Sequence, residues 1–174
     1  GYPPQDLLLD ESFIKKTQNM LKKIAISIGP TPVIIGTIRQ DKNKLFNTAA
    51  VLQDGLIKFY RDKTHLPTYD VFDEDRYFTS SAYQKIVELN LNGREYKLGI
   101  QLCEDLWDNE YDIKVSNELC NQGAELLINI SASPFHINKF YKRIEIIKDK
   151  SKQLKRYIIY CNLVGAQDEL VFDG

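Results

Sequence analysis

An α/β fold is predicted for this 174-residue chain on three observations. Short apolar runs of strand length alternate with longer stretches whose apolar residues recur at helical spacing. Two pairs of strand-like runs are joined by Asp54-Gly55 and Asn92-Gly93, dipeptides that favour the positive φ angles of a tight hairpin. After the second pair the pattern reads helix, strand, loop, helix, strand, the alternation of a layered α/β domain.

The elements follow in order. Tyr2-Pro3-Pro4 is a rigid entry, and Asp6 is placed to cap the segment after it. From Phe13, the residues Ile14, Leu21, Ile24, Ala25 and Ile28 mark one face of a helix that Gly29-Pro30 stops. Val33 to Ile38 reads as a strand buried on both faces. Phe46 to Leu52 and Leu56 to Tyr60 form the first hairpin, Ile86 to Leu91 and Glu95 to Leu102 the second. A helix is predicted over Glu110 to Asn121, with Gly123 as a left-handed cap, and a strand over Glu125 to Ile130. Ser131-Ala132-Ser133-Pro134-Phe135 must be loop. An amphipathic helix over Asn138 to Leu154, a strand over Tyr157 to Leu163 and a last strand over Glu169 to Phe172 complete the reading. No internal repeat, low-complexity tract or linker interrupts it.

Composition narrows the function classes. With 23 basic and 24 acidic residues the net charge is -1, so no overall field draws the chain to nucleic acid or an anionic membrane. The basic run from Lys139 to Lys155 is mixed with Glu145 and Asp149 and reads as a solvated helix face. Cys103, Cys120 and Cys161 are widely spaced and odd in number. That argues against a disulfide framework or a zinc site and for a reducing cytoplasm. Cys120, on a predicted helix, and Cys161, in a predicted strand, read as packing residues. The longest apolar stretch, Tyr157 to Ala166, is interrupted by Asn162 and is too short to span a bilayer. No secretory leader is visible, although Gly1 need not be the natural start.

Cys103 is the leading candidate for chemistry. It follows the apolar run Leu98-Gly99-Ile100-Gln101-Leu102 and precedes Glu104, Asp105 and Trp107. A thiol at the end of a buried strand is where α/β enzymes often place a nucleophile. Glu104 and Asp105 disfavour the thiolate if they point toward it, and an ammonium such as that of Lys63 counters them. Amide hydrolysis needs a nucleophile, a proton carrier and an oxyanion donor. Lys63, with the Glu104 N–H, is a candidate for the last role. The local evidence leaves plainer roles open. Cys103 also fits as a small apolar filler, Lys63 and Lys139 as surface lysines, Glu74 and Arg76 as an ordinary ion pair, Ser133 as a turn residue and Trp107 as a core aromatic. His65 and His136 match no local protease signature.

Taken together, these segments resemble the glutamine-amidotransferase domain of glutamine-dependent NAD synthetase, a branch of the nitrilase superfamily. The likeness rests on Gly1-Tyr2-Pro3-Pro4-Gln5-Asp6-Leu7-Leu8, on Tyr60 to Pro67 and Val71 to Phe78, on Leu102-Cys103-Glu104-Asp105-Leu106-Trp107, on Asn129 to Phe135 and on Asn162 to Gly174. It implies a nitrilase-like α-β-β-α sandwich, incomplete at both ends, with 1–174 forming part of a single glutaminase domain. It also implies that N-terminal strands, C-terminal strands and an ATP-dependent synthetase domain are absent from this stretch.

By the same resemblance, Cys103 attacks the glutamine amide, Lys63 holds the oxyanion, and Glu74 orients Lys63 and the water. Tyr2, Tyr69, Glu104, Trp107, Ser133 and Lys139 build the substrate pocket, with Glu104 toward the α-ammonium and Lys139 toward the α-carboxylate. Some relatives carry arginine at the Lys139 position, so a bidentate clamp becomes a point charge. The family's general-base glutamate lies before the glycine with which this chain opens, so little turnover is expected of this stretch alone. No cofactor or metal is implied for this domain; ATP and Mg belong to the synthetase domain, which is the implied partner. The family also implies a homo-oligomer. Two other readings stay open: an amidase or nitrilase acting on a different substrate, and a non-catalytic assembly piece.

Overall fold

Both predicted hairpin turns take the backbone their residues favour in the computed structural model, which describes residues 2–174. Asp54 and Gly55 sit at φ 53° and 77°, Asn92 and Gly93 at 52° and 80°. These left-handed conformations match the twist of the strands they join. Gly1, the first residue of the predicted opening loop, lies outside the described residues.

The described residues divide into two compact units. Pro3–Tyr83 with Leu91–Gly93 forms the first. Its sheet is antiparallel in the order β1 (Val33–Asp41), β2 (Lys44–Gln53), β3 (Leu56–Asp62). Helix α1 (Glu11–Ile26) lays Leu21 and Ala25 on Ala50 and Leu52, with Ile24, Ile28, Ile35 and Ile57 around them. A second cluster joins Leu8, Ile38 and Phe78. Two expectations are corrected here. The cap of α1 is Asp10, whose carboxylate accepts the Ser12 N–H at 2.7 Å. Asp6 instead lies in a 3-10 turn over Gln5–Leu9 and accepts the Tyr77 hydroxyl. Strand β1 is not buried on both faces: it is an edge strand, and of its residues only Ile38 is buried.

Tyr2, Gln84–Asn90 and Arg94–Gly174 form the second unit. Its sheet runs β4 (Val87–Leu91), β5 (Arg94–Leu102), β6 (Leu126–Ser131), β7 (Tyr157–Asn162). Strands β5, β6 and β7 are parallel, so the chain must cross over between them. Helices α2 (Val115–Asn121) and α3 (Lys139–Leu154) lie in those crossovers. Val115, Leu119, Ala124 and Leu127 form the core there, with Leu154 and Ile158 against it. Gly99 permits the close approach of α2: a Cβ there would meet Leu127 at 2.6 Å and the Cβ of Leu119 at 3.1 Å.

Three further expectations are revised in this unit. Helix α2 begins at Val115 rather than Glu110. The Lys114 ammonium takes the carbonyls of Asp108, Asn109 and Tyr111, which a continuous helix would direct to its own N–H groups. The final apolar stretch holds two strands, because after β7 the chain leaves the parallel sheet and pairs β8 (Val164–Gln167) with β9 (Leu170–Asp173). Helix α3 is not a simple solvated basic face, since Arg143 and Lys150 are buried.

Candidate functional site

Local structure places Lys63 immediately after β3. Its N–H still donates to the Asn47 carbonyl at 2.8 Å, and its own carbonyl accepts from Ser81 at 3.0 Å. The side chain is therefore held at both ends of its peptide and points into the unit, 2% exposed. Its ammonium lies 2.8 Å from each carboxylate oxygen of Glu74, which is equally buried. A charge so far from water persists only with a counter-charge in good geometry. Glu74 is fixed by its N–H on the Pro67 carbonyl and by Asn47, whose amide reaches its carboxylate at 3.4 Å.

Arg76 is not the partner of Glu74. It is exposed and lies near Asp6 and Asp73. In the same unit, Arg39 grips Asp62 through two nitrogens and Thr48 donates to the same carboxylate. Tyr69 is half exposed and packs edge-on against Phe72. His65 is buried in this unit.

The other unit holds the thiol. Cys103 is the first residue past β5 and has φ +43°, a conformation uncommon for any residue but glycine, asparagine or aspartate. Such strain is a pointer to function. The amide of Asn129 donates to the Cys103 carbonyl at 3.2 Å, and a 3-10 turn over Cys103–Leu106 carries the chain away. The two acids beside the thiol have other partners: Asp105 accepts the Leu102 N–H at 3.2 Å, and Glu104 accepts the Tyr111 hydroxyl at 3.1 Å. Both carboxylates are buried. The ammonium of Lys139, at the start of α3, stands 4.7 Å over the Trp107 ring, a cation–π contact.

Ser133 is held on two sides. Its N–H and carbonyl pair with the Asn162 amide at 2.8 and 3.1 Å, and the carbonyl also accepts from Arg143 at 2.8 Å. Cys103, Ser131, Ser133 and Asn162 thus gather at the carboxyl ends of β5, β6 and β7. That is the edge where open α/β sheets bind ligands. Tyr2 belongs to this unit and is half-buried. His136 is exposed. Of the other cysteines, Cys120 packs against the α2 core, whereas Cys161 is exposed and is not the packing residue expected.

Several polar residues escaped the sequence reading. Asp108 and Lys150 form a buried ion pair tying the turn after Cys103 to α3. Arg143 joins Ser133 to Asp173 in β9 at 2.7 Å. Gln101, Asn129 and Tyr160 stand at matched register positions across the three parallel strands. Their signal was present: a lone polar side chain in an apolar strand run, such as Asn129 in Leu126-Leu127-Ile128-Asn129-Ile130, is more informative than the apolar residues around it.

Comparison with known proteins bears on this arrangement. The carbon-nitrogen hydrolase family model matches residues 3–174. A glutamine-dependent NAD(+) synthetase from Synechocystis is 39% identical over 189 residues, covering 100% of this chain and 33% of that protein. The structure of a glutamine-dependent NAD+ synthetase from Acinetobacter baumannii, solved with adenosine diphosphate, superposes with a TM-score of 0.87 at 31% identity, covering 100% of this chain and 32% of that one. A nitrilase-superfamily amidase from Nesterenkonia shares the fold, with a TM-score of 0.78 at 19% identity, covering 100% of this chain and 63% of that one. The chain spans about a third of the length of the two synthetases.

Proposed function

The chain belongs to the carbon-nitrogen hydrolase family, and we propose that it is the glutamine-hydrolysing part of a glutamine-dependent NAD synthetase, supplying ammonia to an ATP-dependent synthetase domain of the same polypeptide. The observation that carries this reading is Cys103, held at positive φ on the carboxyl edge of a parallel sheet. Identity of 39% to a synthetase along the whole chain directs the choice of substrate.

In this reading the Cys103 sulfur bonds to the side-chain carbonyl carbon of glutamine. The C–N bond breaks, and nitrogen leaves as ammonia with the thiol proton. Water then cleaves the thioester, releasing glutamate and restoring the thiol. The Lys63 ammonium donates to the oxyanion, and Glu74 holds and aims that ammonium. Tyr2, Tyr69, Glu104, Trp107, Ser133 and Lys139 are the proposed glutamine-binding residues. Their chemistry suits an amino acid: Glu104 faces an ammonium and Lys139 a carboxylate.

Among the described residues no three His, Cys, Asp or Glu side chains cluster to hold a metal ion. Mg and ATP are assigned to the synthetase domain, and no step here runs through them. A homo-oligomer in a reducing cytoplasm completes the proposal; Cys103, Cys120 and Cys161 form no disulfide, and no helix among the described residues is long and apolar enough to cross a membrane.

The test is labelling by a glutamine-mimicking alkylator, read peptide by peptide by mass spectrometry. The adduct is expected on Cys103, with glutamine protecting it and simple amides failing to. Equal protection by simple amides would assign another amide substrate. An adduct confined to Cys120 or Cys161 would overturn the hydrolase reading.

A further inference from the structure

We propose that Tyr160 is a further hydrogen-bond donor of the thiol's site, its phenolic O–H stabilising the negative charge that develops at Cys103. The inference rests on the reading of Cys103 as the nucleophile.

Gln101, Asn129 and Tyr160 pair across β5, β6 and β7, so their side chains share one face of the sheet. Two residues further on, the same face carries Ser131 and Asn162, and Cys103 follows directly on the end of β5. One row nearer the amino ends lie Gly99, Leu127 and Ile158. Leu127 and Ile158 belong to the apolar core under the helices. The sheet face therefore changes from apolar to polar one row before the thiol.

That polar row is incompletely paired. The Asn129 amide donates to the Cys103 carbonyl, and its oxygen accepts from Ser131 at 2.6 Å. Gln101 donates to Ser116 at 2.7 Å. The Tyr160 hydroxyl is buried without a hydrogen-bond partner. The Ser131 and Ser133 hydroxyls lie beside it and interact with it weakly, but neither meets its oxygen in full hydrogen-bond geometry. A buried polar group left open in this way needs a partner that binds there.

Burial pushes the Tyr160 phenol above its ordinary value, and the neighbouring Cys103 charge pushes it the same way. The Ser131 and Ser133 hydroxyls and the Arg143 guanidinium oppose the rise. The group thus keeps its proton at neutral pH and acts as a donor. Within the unit, Arg143 faces it from α3. Of the acids beside the thiol, Glu104 holds Tyr111 and Asp105 holds the Leu102 N–H. Asp108 is paired with Lys150.

The experiment is peptide-resolved iodoacetamide labelling of Cys103 across a pH series, with exposed Cys161 as internal reference. Tyr160→Phe should move the Cys103 inflection up by about one pH unit, a tenfold loss of thiolate well below it, while Cys161 is unchanged. An unmoved Cys103 profile in a folded Tyr160→Phe protein overturns the proposal and leaves the nucleophile reading standing. If the parent protein labels Cys161 but never Cys103, the nucleophile reading falls, and this inference with it. Should Tyr160→Phe lose cooperative unfolding, 3-fluorotyrosine at position 160 decides instead. That stronger donor must lower the inflection, and an unchanged or raised one overturns the proposal.

Discussion

Helices α1 and α3 each run for 16 residues, yet they bury opposite chemistries. The inner face of α1 presents Ile14, Leu21 and Ala25; the buried residues of α3 are Arg143 and Lys150. The difference follows from what each helix covers. Helix α1 packs on an antiparallel sheet of apolar side chains. Helix α3 reaches the carboxyl edge of the parallel sheet, where Asp108, Ser133 and Asp173 supply partners for its cations. Burial of α1 is hydrophobic and tolerant of shape, whereas burial of α3 depends on each charge meeting its partner.

Substitution should separate the two modes. Lys150→Ala leaves the fully buried Asp108 carboxylate unpaired and should cost about 3–5 kcal/mol in urea unfolding. Joint replacement of Lys150 by Met and Asp108 by Leu should recover most of that loss. If the joint variant is no more stable than Lys150→Ala, the α3 cations serve something other than charge pairing. Leu21→Ala in α1 should cost about 2–5 kcal/mol, by lost burial and a cavity, with no partner change able to rescue it. Its Cys103 labelling should match the parent, because α1 (Glu11–Ile26) carries none of the proposed site residues. The smallest effect is expected at the helix cap: Asp10→Ala removes the acceptor for Ser12 and should cost about 1 kcal/mol, read as a lower thermal midpoint.

Much of the fold was legible because its signals are local. Asp54-Gly55 and Asn92-Gly93 state their turns in two residues each, and Gly123 ends α2 at φ 97° as its lack of a Cβ allows. The spacing of Ile14, Leu21 and Ala25 defines α1 without reference to anything else. Misreadings arose where a side-chain contact competed with the local pattern. Lys114 draws off carbonyls that an earlier helix start would need. Asp10 sits one residue before α1, while Asp6 is engaged by Tyr77 from far along the chain. The edge position of β1 is a property of the sheet, not of Val33-Ile34-Ile35.

The candidate site divides in the same way. The sequence by itself determined that a thiol follows a buried strand and that a lysine and a glutamate stand in one polar segment. Those facts are written in apolar runs and short motifs, which neighbouring residues suffice to define. Only the tertiary structure decided that Lys63 faces Glu74 rather than solvent, that Glu104 and Asp105 are held by Tyr111 and Leu102, and that Arg143, Lys150 and Tyr160 turn inward. For Arg143 and Lys150 the partners, Asp173 and Asp108, lie 30 and 42 residues away, and a charged side chain is buried only where folding brings such a partner to it.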